Sequence, residues 1–140
     1  MKQQPSRLKF KKYHKICKSR LQLADQRLFL PKFGFLGLKA LEATKLTFNQ
    51  IEAGRKTIRR ITKKEGFIWV NVFTYASCTS KPVASRMGKG KGSHSHWVCP
   101  VRVGQILYEV GGVPNYLGYK ALWQAASKMP MRSCIVKLVY

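Results

Sequence analysis

Carboxylates are scarce in this sequence. Its 140 residues include 5 Asp and Glu against 27 Lys and Arg, which gives a formal net charge of +22. A compact chain with that excess repels itself unless a polyanion lies nearby, so its partner must be strongly negative. So few carboxylates also make a paired acid and base hard to build, and no Ser–His–Asp or Cys–His signature stands out. We therefore predict that the chain is not an enzyme.

Long apolar runs and closely spaced cysteines are missing as well. No run of 18 apolar residues exists, so we predict no insertion into a membrane. The cysteines lie far apart, without the two-residue spacing of structural zinc sites: Cys17, Cys78, Cys99 and Cys134. We interpret them as free thiols in a reducing compartment, with a zinc site built from distant ligands as the alternative.

The N-terminal segment is basic throughout. Residues 1–20 carry eight cations and no acid, namely Lys2, Arg7, Lys9, Lys11, Lys12, Lys15, Lys18 and Arg20. Such a segment cannot bury itself, and it should order only on a polyanion. We predict a basic arm over residues 1–32 and a single domain over residues 33–140. A mitochondrial targeting peptide is the alternative, although the segment is rich in Lys rather than Arg.

A two-faced helix is predicted from about Thr47 to Lys64. Thr47 and Gln50 have the spacing of a capping box at its start, and Gly66 is suited to end it. Apolar side chains such as Ile51 and Ile58 share one side of the helical wheel. The other side holds the cations Arg55, Lys56, Arg59, Arg60, Lys63 and Lys64. Few nearby acids can pair with them, so this face suits phosphates better than it suits an ordinary solvated surface.

The remaining periodicity predicts short strands and a second helix. A short strand or bend is predicted at 33–40, where glycines alternate with large apolar residues. Strand patterns occur at 67–75, 82–87, 96–101, 105–110 and 133–139. A mostly apolar helix begins at Pro114 and stops before Pro130. These elements predict an α+β fold with two helices packed on a mixed or antiparallel sheet.

Glycine and lysine alternate in one loop. It contains Arg86, Met87, Gly88, Lys89, Gly90, Lys91 and Gly92. The glycines allow unusual backbone conformations and a close approach to a ligand, and the lysines add charge, so we predict an exposed finger that contacts RNA phosphates. A nucleotide site is the alternative, but the spacing of a P-loop is not met. A second alternative is a surface hairpin that has no binding role.

Two histidines follow this loop. His94 and His96 would share one face of a strand, and Cys99 comes shortly after them. No fourth ligand or carboxylate is close in sequence, so we predict neither a metal site nor any other cofactor. Histidines that contact RNA at the base of the loop are the favoured interpretation.

Short motifs in a fixed order resemble the bacterial-type large-subunit ribosomal protein L-sixteen family. The first are Arg7-x-Lys9-Phe10-x-Lys12-x-His14-Lys15, Phe33-Gly34, Gly37-Leu38-Lys39-Ala40 and Gln50-Ile51-Glu52-Ala53 with Arg55. Ile68-Trp69-Val70, Val72-Phe73, Lys81-Pro82, the loop from Arg86 to Gly92, Leu107-Tyr108-Glu109 and Gly112-Val113-Pro114 complete the set. The resemblance covers about residues 5 to 136.

The resemblance implies an α/β-hammerhead fold and a place in the large subunit. Members lie between rRNA helices near the peptidyl transferase centre and the A-site tRNA elbow, join late in assembly and help position aminoacyl-tRNA. The implied partners are large-subunit rRNA, A-site tRNA and neighbouring ribosomal proteins. The loop from Arg86 to Gly92 would face tRNA, and Arg86 matches an arginine that is hydroxylated in some bacterial members. We expect rRNA contacts from Arg7, Lys9, Lys11, Lys12, His14, Lys15, Arg55, Lys56, Arg59, Arg60, Lys63 and Lys64.

Some segments depart from the bacterial pattern, namely residues 16–32 and 75–80. Few acids, many Phe, Tyr and Lys, and four cysteines suggest an AT-rich organellar genome. We therefore expect a mitochondrial ribosome, with a plastid or bacterial one as the alternative.

Two other functions could account for so basic a chain. A free nucleic-acid-binding regulator would need a helix-turn-helix or zinc motif, and a cationic membrane-surface peptide would need an apolar face of Trp, Phe or Leu. Neither pattern is found.

Overall fold

The computed structural model describes residues 4–15, 21–22, 30–63, 65–88 and 90–138. In chain order the elements within these ranges are β1 (Leu36–Ala40), β2 (Thr44–Thr47), α1 (Phe48–Ile61), β3 (Phe67–Val70), β4 (Ala76–Ser80), β5 (Ser93–Val101), β6 (Ile106–Gly111), α2 (Asn115–Ala126) and β7 (Ser133–Lys137). One antiparallel sheet has the order β3-β6-β1-β7, and a smaller one has the order β2-β5-β4. The predicted α+β fold is confirmed.

The core lies between the four-stranded sheet and the two helices, which also pack against each other. Ile51 and Ile58 of α1 and Leu122 of α2 are fully buried. Tyr108 of β6 reaches from the sheet to α1, where its hydroxyl donates a 2.8 Å hydrogen bond to the Ile51 carbonyl. Gly54 makes this approach possible, since a Cβ there would lie 2.6 Å from the Tyr108 hydroxyl oxygen.

Helix α1 begins where the capping box predicts and ends earlier than expected. The Thr47 backbone N–H donates to the Gln50 side-chain oxygen at 3.0 Å, which confirms the predicted start. The helix ends at Ile61, because Lys63 takes a φ of 50° and leaves the α conformation. Gly66 follows with a φ of 70°, so the reversal occupies several residues rather than one. Lys64, the predicted last residue, lies outside the described residues.

The strand predictions are right for most of the four-stranded sheet and wrong beside the loop. Residues 82–87 form no strand; the Ser85 N–H donates to the Pro82 carbonyl in a turn, and Val83 and Met87 are 108% and 98% exposed. The apolar residues that alternate in this segment therefore have no core to pack against. The strand lies earlier, at Ala76–Ser80. The predicted strand over 67–75 is shortened to Phe67–Val70.

A buried carboxylate on β6 holds the residues that precede β1 against the sheet. Glu109 of β6 is 0% exposed. Its Oε2 accepts hydrogen bonds from the consecutive backbone N–H groups of Lys32, Phe33 and Gly34 at 2.9, 2.7 and 2.9 Å. The Asn71 side-chain amide donates to Oε1 at 2.5 Å. The carboxylate is thus satisfied by dipoles, and it fixes the direction in which residues 30–34 enter the domain.

Candidate nucleic-acid interface

The described part of the arm, residues 4–15, consists of bends and irregular backbone and forms no helix or strand. Its predicted RNA-binding side chains are all exposed, as expected for groups that wait for a partner: Arg7, Lys9, Lys11, Lys12, His14 and Lys15. The Lys9 ammonium lies 5.6 Å from the centre of the Phe10 ring, a cation–π distance. The arm therefore presents both charge and an exposed ring to solvent.

The arm and the Gly/Lys loop contact each other. The Lys12 ammonium donates to the Lys91 carbonyl at 3.1 Å, and the Lys91 ammonium donates to the Tyr13 carbonyl. These contacts join residues almost 80 positions apart in the sequence, separated by 79 and 78 residues respectively. Two segments that the sequence indicated separately therefore form one continuous cationic surface.

A cleft of about 510 Å³ lies between the arm and the small sheet. Its floor is formed by β4 and by Val98 of β5. Its polar and cationic rim contains Tyr13, His14, Lys15, Lys45, Lys81 and Lys91. Among the described residues that line this cleft there is no Asp or Glu. The lining thus favours an anion, and the phenol ring of Tyr13 adds a surface on which a planar group can stack.

The loop itself has the geometry that its glycines predict. Gly88 and Gly90 have φ angles of 92° and 90°, which side chains rarely adopt, and nothing lies within 4 Å of where a Cβ would be. Gly92 serves a different purpose, because a Cβ there would lie 2.3 Å from the Ser80 carbonyl oxygen. The Lys81 ammonium donates to the Gly88 carbonyl at 2.6 Å and so braces the base of the loop. Lys89 lies outside the described residues.

Helix α1 presents the predicted cationic face, with one modification. Lys56, Arg59, Arg60 and Lys63 are exposed. Arg55 instead binds Glu52 through two hydrogen bonds of 2.9 and 2.6 Å. This contact lowers the pKa of the Glu52 carboxyl, so the pair stays ionised. Arg55 shares its charge with a carboxylate, and its neighbours on the next turn are better placed for phosphates.

The histidines are engaged with protein groups. The Ser77 hydroxyl lies 2.9 Å from His94 Nδ1, and the His94 and Trp97 rings are 4.5 Å apart. In the described part of the chain, no group of three His, Cys, Asp or Glu side chains could hold a metal ion. Cys78, Cys99 and Cys134 are free thiols, and Cys17 lies outside the described residues. Across the same ranges, no helix is long and apolar enough to cross a bilayer.

Comparison with known proteins shows which family the chain belongs to. A family model described as ribosomal protein L16p/L10e matches residues 5–136. The chain belongs to this family. The large ribosomal subunit protein uL16 of Psychrobacter arcticus is 46% identical over 134 residues, covering 96% of each chain. The uL16 proteins of Maricaulis maris and Cereibacter sphaeroides are 42% and 43% identical over 133 residues, covering 95% of each chain.

Membership of the L16p/L10e family makes the protein a structural constituent of the large ribosomal subunit and not an enzyme. Its partners are accordingly ribosomal RNA and other ribosomal proteins. The named relatives are bacterial.

Two features of the structure were not predicted from the sequence: Lys45 lines the candidate interface, and Glu109 lies buried in the four-stranded sheet. Lys45 lies on the short strand β2, which has too few residues for a clear alternation. The backbone partners of Glu109 could not be predicted, because they are 75 to 77 residues away in the sequence. One sign was present: a lone acidic residue inside an apolar strand must be compensated when it is buried.

Proposed function

We propose that this protein binds large-subunit rRNA through two cationic surfaces and presents its Gly/Lys loop to A-site tRNA near the peptidyl transferase centre. The observation that carries the proposal is the joined arm and loop, whose cleft is rimmed by four lysines: Lys15, Lys45, Lys81 and Lys91. Uncompensated cations held close together gain free energy when phosphates replace their counterions. Without RNA, the same charges only repel one another.

The exposed face of α1 forms the second surface. Lys56, Arg59 and Arg60 project from a helix that is fixed against the core by Ile51 and Ile58. Side chains on a rigid element contact phosphates with little loss of backbone entropy, whereas the arm has to be ordered when it binds. We infer that the helix supplies the oriented contact and that the arm extends it, which supports subunit assembly.

The loop suits a transient partner better than a permanent one. Arg86, Met87 and Gly90 are exposed, and the positive φ angles of its glycines bring the backbone out with little bulk. A tRNA in the A site could meet backbone N–H groups and lysine ammonium groups there without displacing a large side chain. The loop would position aminoacyl-tRNA and take no part in the chemistry.

Salt-dependent binding tests the rRNA contacts. The full chain is titrated with large-subunit rRNA at several salt concentrations, as wild type and as Arg59→Ala/Arg60→Ala. Each lost phosphate contact should reduce the slope of log K against log salt by about 0.9 in duplex regions, so the double variant should lose about 1.8. Arg55→Ala is the matched control, and it should change the slope less because Arg55 is already paired with Glu52. Equal slopes for all three proteins would contradict the assignment of α1.

Reconstituted subunits test the loop. Lys89→Ala/Lys91→Ala should leave the fold intact and slow the accommodation of aminoacyl-tRNA in the subunits that incorporate the variant, because Lys91 is exposed and the charge of the loop acts on RNA and not on the core. Lys128→Ala, an exposed lysine just beyond α2, is the control for the loss of charge alone. Normal accommodation by the loop variant would reject the proposed contact with tRNA.

We further propose that the ribosome in question is mitochondrial. The proposal is supported only by composition, while the relatives named above are bacterial, so a bacterial or plastid ribosome is the competing location. Fractionation of cells that carry the natural gene tests this. The protein should sediment with large subunits from purified mitochondria, and its recovery with cytoplasmic bacterial or plastid subunits would reject the proposal.

A further inference from the structure

The outward face of α2 carries an aromatic stripe formed by Tyr116, Tyr119 and Trp123. Their exposed fractions are 74%, 42% and 71%. Spacings of three, four and seven residues place the three rings on one side of the helix. The opposite side is buried against α1 and the four-stranded sheet, and its buried residues are Gly118, Ala121, Leu122 and Ala125. The stripe is therefore separate from the face by which α2 contributes to the core.

The charge of this helix sets it apart from the rest of the molecule. Lys120 is the only charged residue in α2, although the chain as a whole has 27 Lys and Arg. The neighbouring helix α1 contains four cations, Arg55, Lys56, Arg59 and Arg60, on its outer half. Two adjoining helices thus present different chemistries to the outside, one cationic and one aromatic.

We propose that the aromatic stripe of α2 is a docking site for a basic protein segment, which places Arg or Lys side chains on the faces of Tyr116, Tyr119 and Trp123. The inference rests on the proposed place of the chain among rRNA and neighbouring proteins. Ring faces attract cations, most strongly on Trp, and Tyr and Trp are the residues that contribute most often to protein–protein binding energy. The Tyr hydroxyl groups and the Trp N–H add hydrogen bonds at the rim.

Charge complementarity favours a protein over RNA at this face. Proteins that bind RNA are themselves basic, so a neighbour would be repelled by most of a surface with a net charge of +22. It can approach where cations are few and where π faces offer partial negative charge. An RNA strand could stack bases on the same rings, but α2 offers only Lys120 to hold its phosphates, whereas α1 has several cations.

Photocrosslinking in assembled large subunits tests the identity of the partner. A benzophenone amino acid replaces Tyr116 or Trp123 in the full chain, and Lys56 of α1 serves as the comparison position. The stripe positions should crosslink to one defined protein peptide that contains Arg or Lys, and the Lys56 position should crosslink to rRNA. Crosslinks from the stripe to RNA, to a second copy of this chain or to nothing would each overturn the docking site. Loss of the RNA crosslink at Lys56 alone would count against the proposed function and leave the docking site standing.

The sign of the charge placed at position 123 gives a second, independent readout. Retention of the protein in salt-washed subunits is compared for Trp123→Phe, Trp123→Glu and Trp123→Arg. If the partner is basic, the Phe variant should be retained about as well as the wild type, and the Glu variant should be lost moderately. The Arg variant should be lost most, with release from the subunit about tenfold faster than for the wild type. The reverse order, with Arg retained better than Glu, would show an RNA partner and overturn the proposal. Each variant keeps the buried face of α2 unchanged, and its affinity for isolated rRNA should stay within about twofold for Phe.

Discussion

The carboxylate of Glu109 accepts a hydrogen bond from the backbone N–H of Gly34 at 2.9 Å, across 75 residues of sequence. Gly34 is confined there, because a Cβ would lie 2.6 Å from the Val110 carbonyl oxygen. The preceding residue, Phe33, lies over Trp69 with ring centres 6.1 Å apart. One buried acid therefore determines where the chain enters the sheet, in a protein with only 5 Asp and Glu residues.

Glu109→Gln should lower the free energy of unfolding by about 2 kcal/mol. The amide keeps the size of the side chain, but it replaces an ionised acceptor of three N–H groups with a neutral group that also carries N–H donors. Urea denaturation of the two proteins measures the difference. Glu65→Gln is the matched control, since Glu65 is exposed and its change should stay within about 0.5 kcal/mol. Equal midpoints for both variants would show that the buried contacts contribute nothing net.

Gly54→Ala should destabilise the protein by about 1–3 kcal/mol, because the added methyl group meets the Tyr108 hydroxyl and the Met129 side chain. Tyr108→Phe alone should cost about 1 kcal/mol through the lost hydrogen bond to Ile51. In the double variant the absent hydroxyl relieves part of the clash, so its cost should be smaller than the sum. A double-mutant cycle by chemical denaturation measures this coupling. Strict additivity would contradict the contact between Gly54 and Tyr108.

Gly92→Ala and Gly90→Ala should destabilise the protein for different physical reasons and by different amounts. The first forces a Cβ against the Ser80 carbonyl at the base of the β4–β5 hairpin, and it should destabilise the protein by about 2 kcal/mol. The second meets open space and strains only the local backbone, at a cost of about 1 kcal/mol. Hydrogen exchange of the hairpin amides distinguishes them, with faster exchange expected for Gly92→Ala. Faster exchange in Gly90→Ala than in Gly92→Ala would refute this division of roles.

Ionisation of the Cys99 thiol should make the fold less stable at alkaline pH. Burial raises the pKa of its thiol from an ordinary value of 9.0 to about 11. The folded state then retains a proton that the unfolded state releases, so stability falls as pH rises from 9 towards 11, by about 2–3 kcal/mol in all. Denaturation curves between pH 8 and 11 measure the loss, and Cys99→Ala should reduce it over the same interval. The loss that remains comes in part from the Tyr108 hydroxyl, because burial raises its pKa as well. An unchanged slope in that variant would assign the effect to other groups.

The sequence predicts the local elements well where one face is buried. The capping box at Thr47 and Gln50 and the apolar spacing of Ile51 and Ile58 predict α1 and its core side, because these signals act within a few residues. Strand β4 could not be predicted from local signals. Its residues, Ala76 to Ser80, are small and mostly polar, and they form a strand because β5 supplies their hydrogen-bond partners.

The candidate site divides in the same way. The exposed cations of α1 and the glycines of the loop could be predicted, since helical spacing and positive φ are local properties. The contact of Lys12 with Lys91 could not, because it depends on how distant segments pack. The sequence predicted a mostly apolar helix around Tyr116 and Trp123, and only the packing of α2 reveals that these rings lie on its exposed face.

Strand β2 ends at Thr47 and α1 begins at Phe48, without an intervening linker. Through β5, β2 is paired with the hairpin that carries the Gly/Lys loop. The separation between the base of the loop and the start of the cationic helix is therefore held by strand pairing and a capped helix terminus, and changing it would require breaking one of them. If RNA binds at these two places, as we propose, the strand pairing and the capped helix would hold the two RNA segments at a fixed separation.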